Sequence, residues 1–296
     1  MEVDMKSRDL ASIALGLFLA AGPALAADMP VKAPKPAPVV ASWIGFYVGF
    51  NGGYGWRDSS QVNFVANDPF ALAFLTSGLG IGGTPVVPPA NRLRGGFGGL
   101  QAGYNWQVNP NWLVGVEADF DGSSISGTGT TANLVAAPTL TSTVTADQRI
   151  RWFGTVRARL GVLPTENWLL YATGGFAYGR IDENVNVGFS GATSGLLVTG
   201  IGAFGAQCVV GAPACFVGAS SRTATGWTAG VGSEYSLSRN VTVKAEYLYV
   251  NLGGGDSFNV VAQAVPGPGV IPSSFRAAWG TVEFHTVRVG LNYKFD

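Results

Sequence analysis

Residues 98–120 read GGLQAGYNWQVNPNWLVGVEADF, and this stretch decides the fold. Leu100, Ala102, Tyr104, Trp106 and Val108 alternate with Gln101, Gly103, Asn105 and Gln107. Beyond Asn109-Pro110-Asn111 the alternation resumes, with Trp112, Val114, Val116, Ala118 and Phe120 opposite Gly115, Glu117 and Asp119. Period-two patterning is that of a β-strand with one apolar face, and Asn-Pro-Asn is turn chemistry, so the stretch is a hairpin. Its polar face carries carboxylates and its apolar face carries aromatic rings.

The same pattern recurs along the chain. It marks strands over 44–57, 98–108, 112–120, 150–162, 168–181, 225–237, 241–251 and 287–295. In the fourth, Ile150, Trp152, Val156, Ala158, Leu160 and Val162 oppose Arg149, Arg151, Thr155, Arg157 and Arg159; in the fifth both faces are apolar and the register stays open. Short connections (109–111, 163–167, 238–240) alternate with long ones (58–94, 121–148, 182–222, 253–281). Eight strands with tight turns on one rim and long loops on the other form an antiparallel up-and-down transmembrane β-barrel with four long extracellular loops. The expected fold class is therefore all-β.

Composition agrees. The 296 residues include only 12% charged and 47% hydrophobic side chains, 43 glycines and no net charge, with a mean hydropathy of +0.26. Balanced charge offers no footprint for nucleic acid. Residues 13–24 are apolar but short for a helical span, follow Lys6 and Arg8, and precede an Ala-x-Ala site at Ala24–Ala26. We read residues 1–26 as a signal peptide, with Met5 an alternative start to Met1, and the competing reading as a membrane anchor. Residues 27–42 form a Pro-rich periplasmic tether and residues 43–296 the barrel.

Tryptophans fall at strand ends: Trp43, Trp106, Trp112 and Trp168 beside the short turns, Trp56, Trp152 and Trp227 beside the long loops. These seven are expected to form two interfacial girdles; a soluble sandwich or lipocalin is the competing architecture. The lumen-facing charges are Glu117, Asp119, Arg157, Arg159, Glu234, Lys244, Glu246 and Arg288. Eight strands enclose a bore that side chains fill, and a buried charge needs a partner, so these residues are expected to form an ion-pair network plugging the lumen. The alternative is a charged constriction in a narrow porin passing small solutes or ions.

Other chemistry is sparse. His285 is the single histidine, with Glu283 nearby and Ser273 and Ser274 at a distance in sequence. A rim enzyme acting on lipids would have to use them, but the expected reading is no catalytic site, no cofactor and no metal. Cys208 and Cys215 are the sole cysteines, and export to an oxidising compartment points to a loop disulfide, with two free thiols as the alternative.

Three segments carry a resemblance: ALAADMP at 24–30, WIGFYVG at 43–49 running into NGGYG at 51–55, and VRVGLNYKF at 287–295. Together they resemble the small outer-membrane β-barrel proteins of alpha-proteobacteria, the outer-membrane immunogenic or porin family, akin to the OmpA membrane domain and the opacity proteins. The resemblance implies an eight-stranded barrel in the cell outer membrane with a role in envelope integrity and as a surface antigen. Tyr293 and Phe295 then serve as the C-terminal assembly signal, although Asp296 follows where such chains end on an aromatic ring. The implied partners are outer-membrane lipid and lipopolysaccharide, the barrel-assembly machinery and periplasmic chaperones. The Gly-rich loops permit a host or surface ligand and name none.

Overall fold

The computed structural model describes residues 42–78, 83–136, 140–191, 196–212 and 214–295. The segment expected as a signal peptide (1–26), the expected tether (27–42) apart from Ser42, both candidate start methionines and Asp296 lie outside the described residues. Fourteen strands and one helix follow in chain order: β1 (Gly45–Ala66), α1 (Pro69–Ser77), β2 (Ala90–Asn109), β3 (Trp112–Ser123), β4 (Ser126–Ala136), β5 (Leu140–Thr165), β6 (Trp168–Gly191), β7 (Leu196–Ile201), β8 (Phe204–Val209), β9 (Phe216–Ser236), β10 (Val241–Asn251), β11 (Ser257–Ala262), β12 (Ile271–Pro272), β13 (Ser274–Trp279) and β14 (Glu283–Lys294). Eight of them close a hydrogen-bonded antiparallel ring, β1-β2-β3-β5-β6-β9-β10-β14 and back to β1.

Closure leaves each strand of the ring one inner and one outer face. Outside lie Phe50, Leu100, Val116, Phe120, Leu160, Phe176, Val231 and Val289, all exposed. On β6 the outer apolar run extends from Trp168 to Tyr178, after which the outer residues are Arg180, Asp182, Asn184 and Asn186. Ten steps at about 3.3 Å, tilted about 40°, give a band about 25 Å tall, the height of an outer-membrane hydrocarbon layer.

Above the band the ring continues instead of ending in loops. β4 takes over from β3, β11 from β10 and β13 from β14, and the order β1-β2-β4-β5-β6-β9-β11-β13 returns to β1. Of the four segments expected as long loops, 121–148 and 182–222 are thus largely strand, while 58–94 and 253–281 contribute strand at their ends or in short pieces, the former around α1. The cause is an inversion of polarity. On upper β5, Val144 and Ala146 are buried inside, whereas Thr143, Thr145, Asp147 and Arg149 lie outside. Apolar-in and polar-out is the patterning of a barrel in water.

The inversion on β5 is made by a register shift between Ile150 and Trp152. One extra residue, Arg151, reverses the phase. Ile150 therefore points inward, fully buried, and Arg149 outward, opposite to the single uninterrupted face expected from sequence. The open register of residues 168–181 resolves with Leu169, Tyr171, Ala177 and Ile181 inside.

Helix α1 closes the upper interior. Asp68 caps it by accepting from Ala71 N at 2.8 Å, Pro69 occupies the first turn, and Gly78 ends it in the left-handed region at φ 56°. Asp68 also accepts from Ser273 Oγ and, at 2.7 Å, from Ser274 N, which fastens the helix to β13. Phe70 and Phe74 stack on Phe216, with ring centroids 6.5 and 5.9 Å apart, and Phe74 also meets Phe189 and Phe275. β7 and β8 form a separate hairpin with β12, and Cys208 is joined to Cys215 by a disulfide, Cα atoms 5.2 Å apart.

Candidate functional site: the barrel lumen

The interior of the membrane tier is built from inward positions of all eight ring strands, the charged ones on β3, β5, β9, β10 and β14. All eight lumen charges read from sequence meet there, none more than 4% exposed. Register does most of the placing. Glu117 lies opposite Arg157 across β3–β5, Lys244 opposite Glu234 across β9–β10, and Glu246 opposite Arg288 across β10–β14.

Arg157 is the centre. Its Nη2 donates to Glu117 Oε1 at 2.6 Å and Asp119 Oδ2 at 2.9 Å, and its Nη1 donates to Glu246 Oε1 at 2.8 Å. Glu117 additionally accepts from Lys244 Nζ at 2.7 Å, Arg159 Nη1 at 3.3 Å and the Tyr47 hydroxyl at 2.7 Å. Arg288 bridges Asp119 and Glu246 at 3.1 and 2.5 Å. Arg159 reaches Glu234 at 3.2 Å and Asn105 at 3.0 Å, with its guanidinium 5.0 Å from the ring centroids of both Tyr47 and Tyr171. Such charges cost several kcal/mol each to desolvate, and only shared, multidentate hydrogen bonding recovers that cost.

Glycine makes the room. Tyr47 lies opposite Gly103 and Tyr171 opposite Gly232, and a Cβ on either glycine would fall 2.4 Å or less from the tyrosine ring or hydroxyl. The rings thus lie flat against bare backbone and hold Arg159 between them.

Sequence reading missed several members. Asp121 is buried, 3.6 Å from Arg288 Nη1. It sits two residues beyond Asp119 on the same face, a signal lost by treating 121 as the start of a loop. Tyr47, Tyr171, Gln101 and Asn292 complete the polar lining; Asn292 donates to Glu234 at 2.8 Å. Tyr47, Gln101 and Asn292 stand at inward parity but carry no charge to single them out, and Tyr171 was hidden because both faces of 168–181 are apolar.

Apolar layers lie on either side of the charges. On the short-turn side Trp43, Leu113, Leu163, Leu169 and Tyr171 form a buried cluster. Trp43 is therefore not a girdle residue: it is 4% exposed, and its Nε1 donates to Glu166 O at 2.9 Å. It precedes β1, so the strand's alternation does not govern it, and the chain folds it under the barrel mouth. The other six, Trp56, Trp106, Trp112, Trp152, Trp168 and Trp227, lie on the outer face, half-buried or exposed. On the opposite side of the charges Leu93, Phe97, Ile150, Phe153, Leu248 and Phe284 fill the bore.

The remaining candidates lie apart from the lumen. Tyr293 and Phe295 are exposed on the outer face, their rings 5.2 Å apart and Phe295 stacked on Phe46. His285 is on the outer face, Nδ1 2.7 Å from the Tyr247 hydroxyl and stacked on Trp56, while Ser273 is buried against Asp68. The two are not brought together.

A family model described as "Outer membrane protein beta-barrel domain" matches residues 12–295. The chain belongs to this outer-membrane β-barrel family. It is 38% identical over 296 residues to the "31 kDa outer-membrane immunogenic protein" of Brucella melitensis biotype 1, covering 98% of this chain and all of the relative. It is 26% identical to the "22 kDa outer membrane protein" of Rhizobium leguminosarum bv. viciae, covering 75% of this chain and 70% of the relative. Among solved structures it is similar to the outer membrane protein OprG from Pseudomonas aeruginosa, at 12% identity and a TM-score of 0.36, covering 87% of this chain and 99% of that one. This outer-membrane barrel thus resides in the outer membrane, as a homologue of immunogenic outer-membrane proteins.

Proposed function

We propose that this protein is a closed structural barrel of the outer membrane that supports envelope integrity and displays its upper tier as a surface antigen, without acting as a solute pore or an enzyme. One observation carries the reading: the bore is occupied by three successive layers, the Trp43 cluster, the ion-pair network and the Phe97–Phe153–Phe284 cluster. A hydrated ion crossing it would have to break multidentate bonds to buried charges and then displace aromatic side chains. The short turns (109–111, 166–167, 237–240) face the periplasm, and the upper tier with α1 faces out. Outer-leaflet lipid surrounds the apolar band, and Tyr293 and Phe295 present the assembly signal to the insertion machinery.

Refolded mature protein in planar bilayers tests this, with heat-modifiable gel mobility reporting the folded state. Folded protein is expected to give no steady conductance. Reproducible single-channel steps would overturn the closed reading and favour the narrow porin.

A further inference from the structure

Between the Phe97–Phe153–Phe284 cluster and the apolar core around α1, the interior crosses a polar layer. In-register pairing sets Ser60 of β1 beside Asn91 of β2, Gln148 of β5 beside Glu183 of β6, and Glu183 beside Ser220 of β9. Ser60, Asn91, Gln148 and Glu183 are each no more than 1% exposed. Between β2 and β5, β4 brings Gly127 and Gly129 to the inner face, and a Cβ on Gly129 would fall 2.1 Å from Asn91 Oδ1. Across this bare backbone Asn91 reaches β5, where its Nδ2 donates to Ala146 O at 2.8 Å. Gln148 stands two residues on, on the same face, and its Nε2 donates to Glu183 Oε1 at 2.7 Å.

Each of these bonds uses a donor and leaves an acceptor. A carbonyl and a carboxylate accept, so the two amide nitrogens must face them and the two amide oxygens must face away. Asn91 Oδ1, Gln148 Oε1, Glu183 Oε2 and Ser60 Oγ are buried without a protein partner among the described residues. Two buried donors, Arg222 Nε and Trp279 Nε1, are also unpartnered, but they are fewer than the acceptors. Buried polar atoms in that state point to an occupant.

Charge chooses the occupant. Arg222 and Asp256 are the charged groups that act on Glu183, Arg222 favouring its ionised form and Asp256 opposing it. Ionised, the three carry one net negative charge. Water satisfies amide oxygens but leaves that charge uncompensated, and a divalent ion would reverse its sign. One monovalent cation neutralises it, and hard cations take the carboxylate, carbonyl and hydroxyl oxygens gathered here.

The wall beside the layer is also thin. Pairing of β9 with β10 ends at Trp227–Asn251, and pairing with β11 resumes at Val217–Val261. Side chains span the seam: the Ser220 hydroxyl donates to Asp256, and Arg222 Nη2 donates to Gly254 O at 2.7 Å. The seam leads from exposed Gly254 to Ser220, the register partner of Glu183.

We propose that Glu183, Gln148, Asn91 and Ser60 bind one small monovalent cation, sodium or potassium, inside the upper tier, and that a proton on Glu183 competes with it. Arg222 and Asp256 are positioning residues at the entry seam.

The test is urea unfolding of the folded protein in lipid vesicles, in 100 mM sodium, potassium or choline chloride. At pH 8, sodium or potassium should raise the wild-type midpoint about 0.5–1 M above choline. At pH 5 the proton holds Glu183 and the increment should vanish. Glu183→Gln should lose the increment at pH 8, while Glu166→Gln, in an exposed turn, should keep it. Sodium-23 NMR of the folded protein in detergent reads binding without unfolding: the wild type should broaden the line at pH 8, and Glu183→Gln should not. Equal wild-type midpoints in choline, sodium and potassium at pH 8 would overturn the proposal, leaving water and the proton as occupants. An increment that persists at pH 5 or in Glu183→Gln would place the effect elsewhere and overturn it too. A larger increment from calcium at one tenth the concentration would overturn the monovalent assignment. Heat-modifiable mobility reports whether Glu183→Gln folds; if it does not, the wild-type contrast between pH 8 and pH 5 decides.

Discussion

Replacing Glu117 with Gln should destabilise the barrel more than any comparable change on its outer face. Glu117 accepts from Arg157, Lys244, Arg159 and Tyr47, and Arg288 Nη2 stands 3.7 Å away. Glutamine keeps the shape and one carbonyl oxygen but turns an amide donor toward a set of cations. Lys244 suffers most, since its other carboxylate, Glu246, is 3.9 Å away. Removing one member of a buried ion pair costs about 3–5 kcal/mol. The remaining carboxylates Asp119, Glu234 and Glu246 keep close contacts with Arg288 and Arg159, so a loss of about 4 kcal/mol is expected here. With a urea slope of about 2 kcal/mol/M, the midpoint falls by about 2 M. The assay is urea unfolding in lipid vesicles followed by tryptophan fluorescence. Glu117→Gln/Lys244→Met, which removes the stranded ammonium as well, should recover about 1–3 kcal/mol. A single variant within about 1 kcal/mol of wild type, or a double variant no better than the single, would refute the argument that charge pairing holds the lumen.

Three further outcomes are expected. Burial, reinforced by Asp256 and opposed by Gln148 and Arg222, pushes the Glu183 carboxyl in the upper tier up to about 7. A raised carboxyl binds its proton more tightly folded than unfolded, so stability declines as pH rises from about 4.5 through 7, by up to about 3 kcal/mol. Glu183→Gln should flatten this decline and be the more stable form at pH 8, read from urea midpoints across that range. Phe74→Ala removes the ring that contacts Phe189, Phe216 and Phe275; a loss of about 3–5 kcal/mol confined to the upper tier should appear as protease cleavage near α1 while the membrane tier resists. Cys208→Ser/Cys215→Ser opens a small loop worth about 2–3 kcal/mol of chain entropy, and hydrogen exchange should accelerate in β7 and β8 but not in β3 or β10.

The ring was legible because seven of its eight strands show one rule, apolar outward and small or polar inward, with Ser233 on β9 a lone polar outer position; in 168–181 the inward Leu169 and Tyr171 blurred it. Lys244, Glu246 and Arg288 could be assigned to the lumen from parity alone. The upper tier was hidden by the same rule, since a strand that turns its apolar face inward looks like a fading pattern. At Arg151 a single inserted residue changes the phase, and no count of alternation through 150–162 can survive it. Helix α1 escaped for a different reason: PFALAFLTS is apolar on nearly every side, so it has no polar face to announce a helical period. Trp43 was misplaced because composition records that a tryptophan stands at a strand end, not which way the approaching chain folds it.

β5 runs for 26 residues without leaving the sheet. At about 3.3 Å per residue and a tilt near 40°, it rises about 65 Å, of which the apolar band accounts for about 25 Å. In the proposed orientation the protein is a mast more than a pore rim, its shaft standing some 35–40 Å clear of the hydrocarbon. Saccharide attached to neighbouring lipids would screen the shaft and leave the tip free. An antibody or a bulky ligand approaching the cell would then meet the α1 end and the β7–β8 hairpin first, and the lower flanks of the mast would be open to small or slender molecules alone.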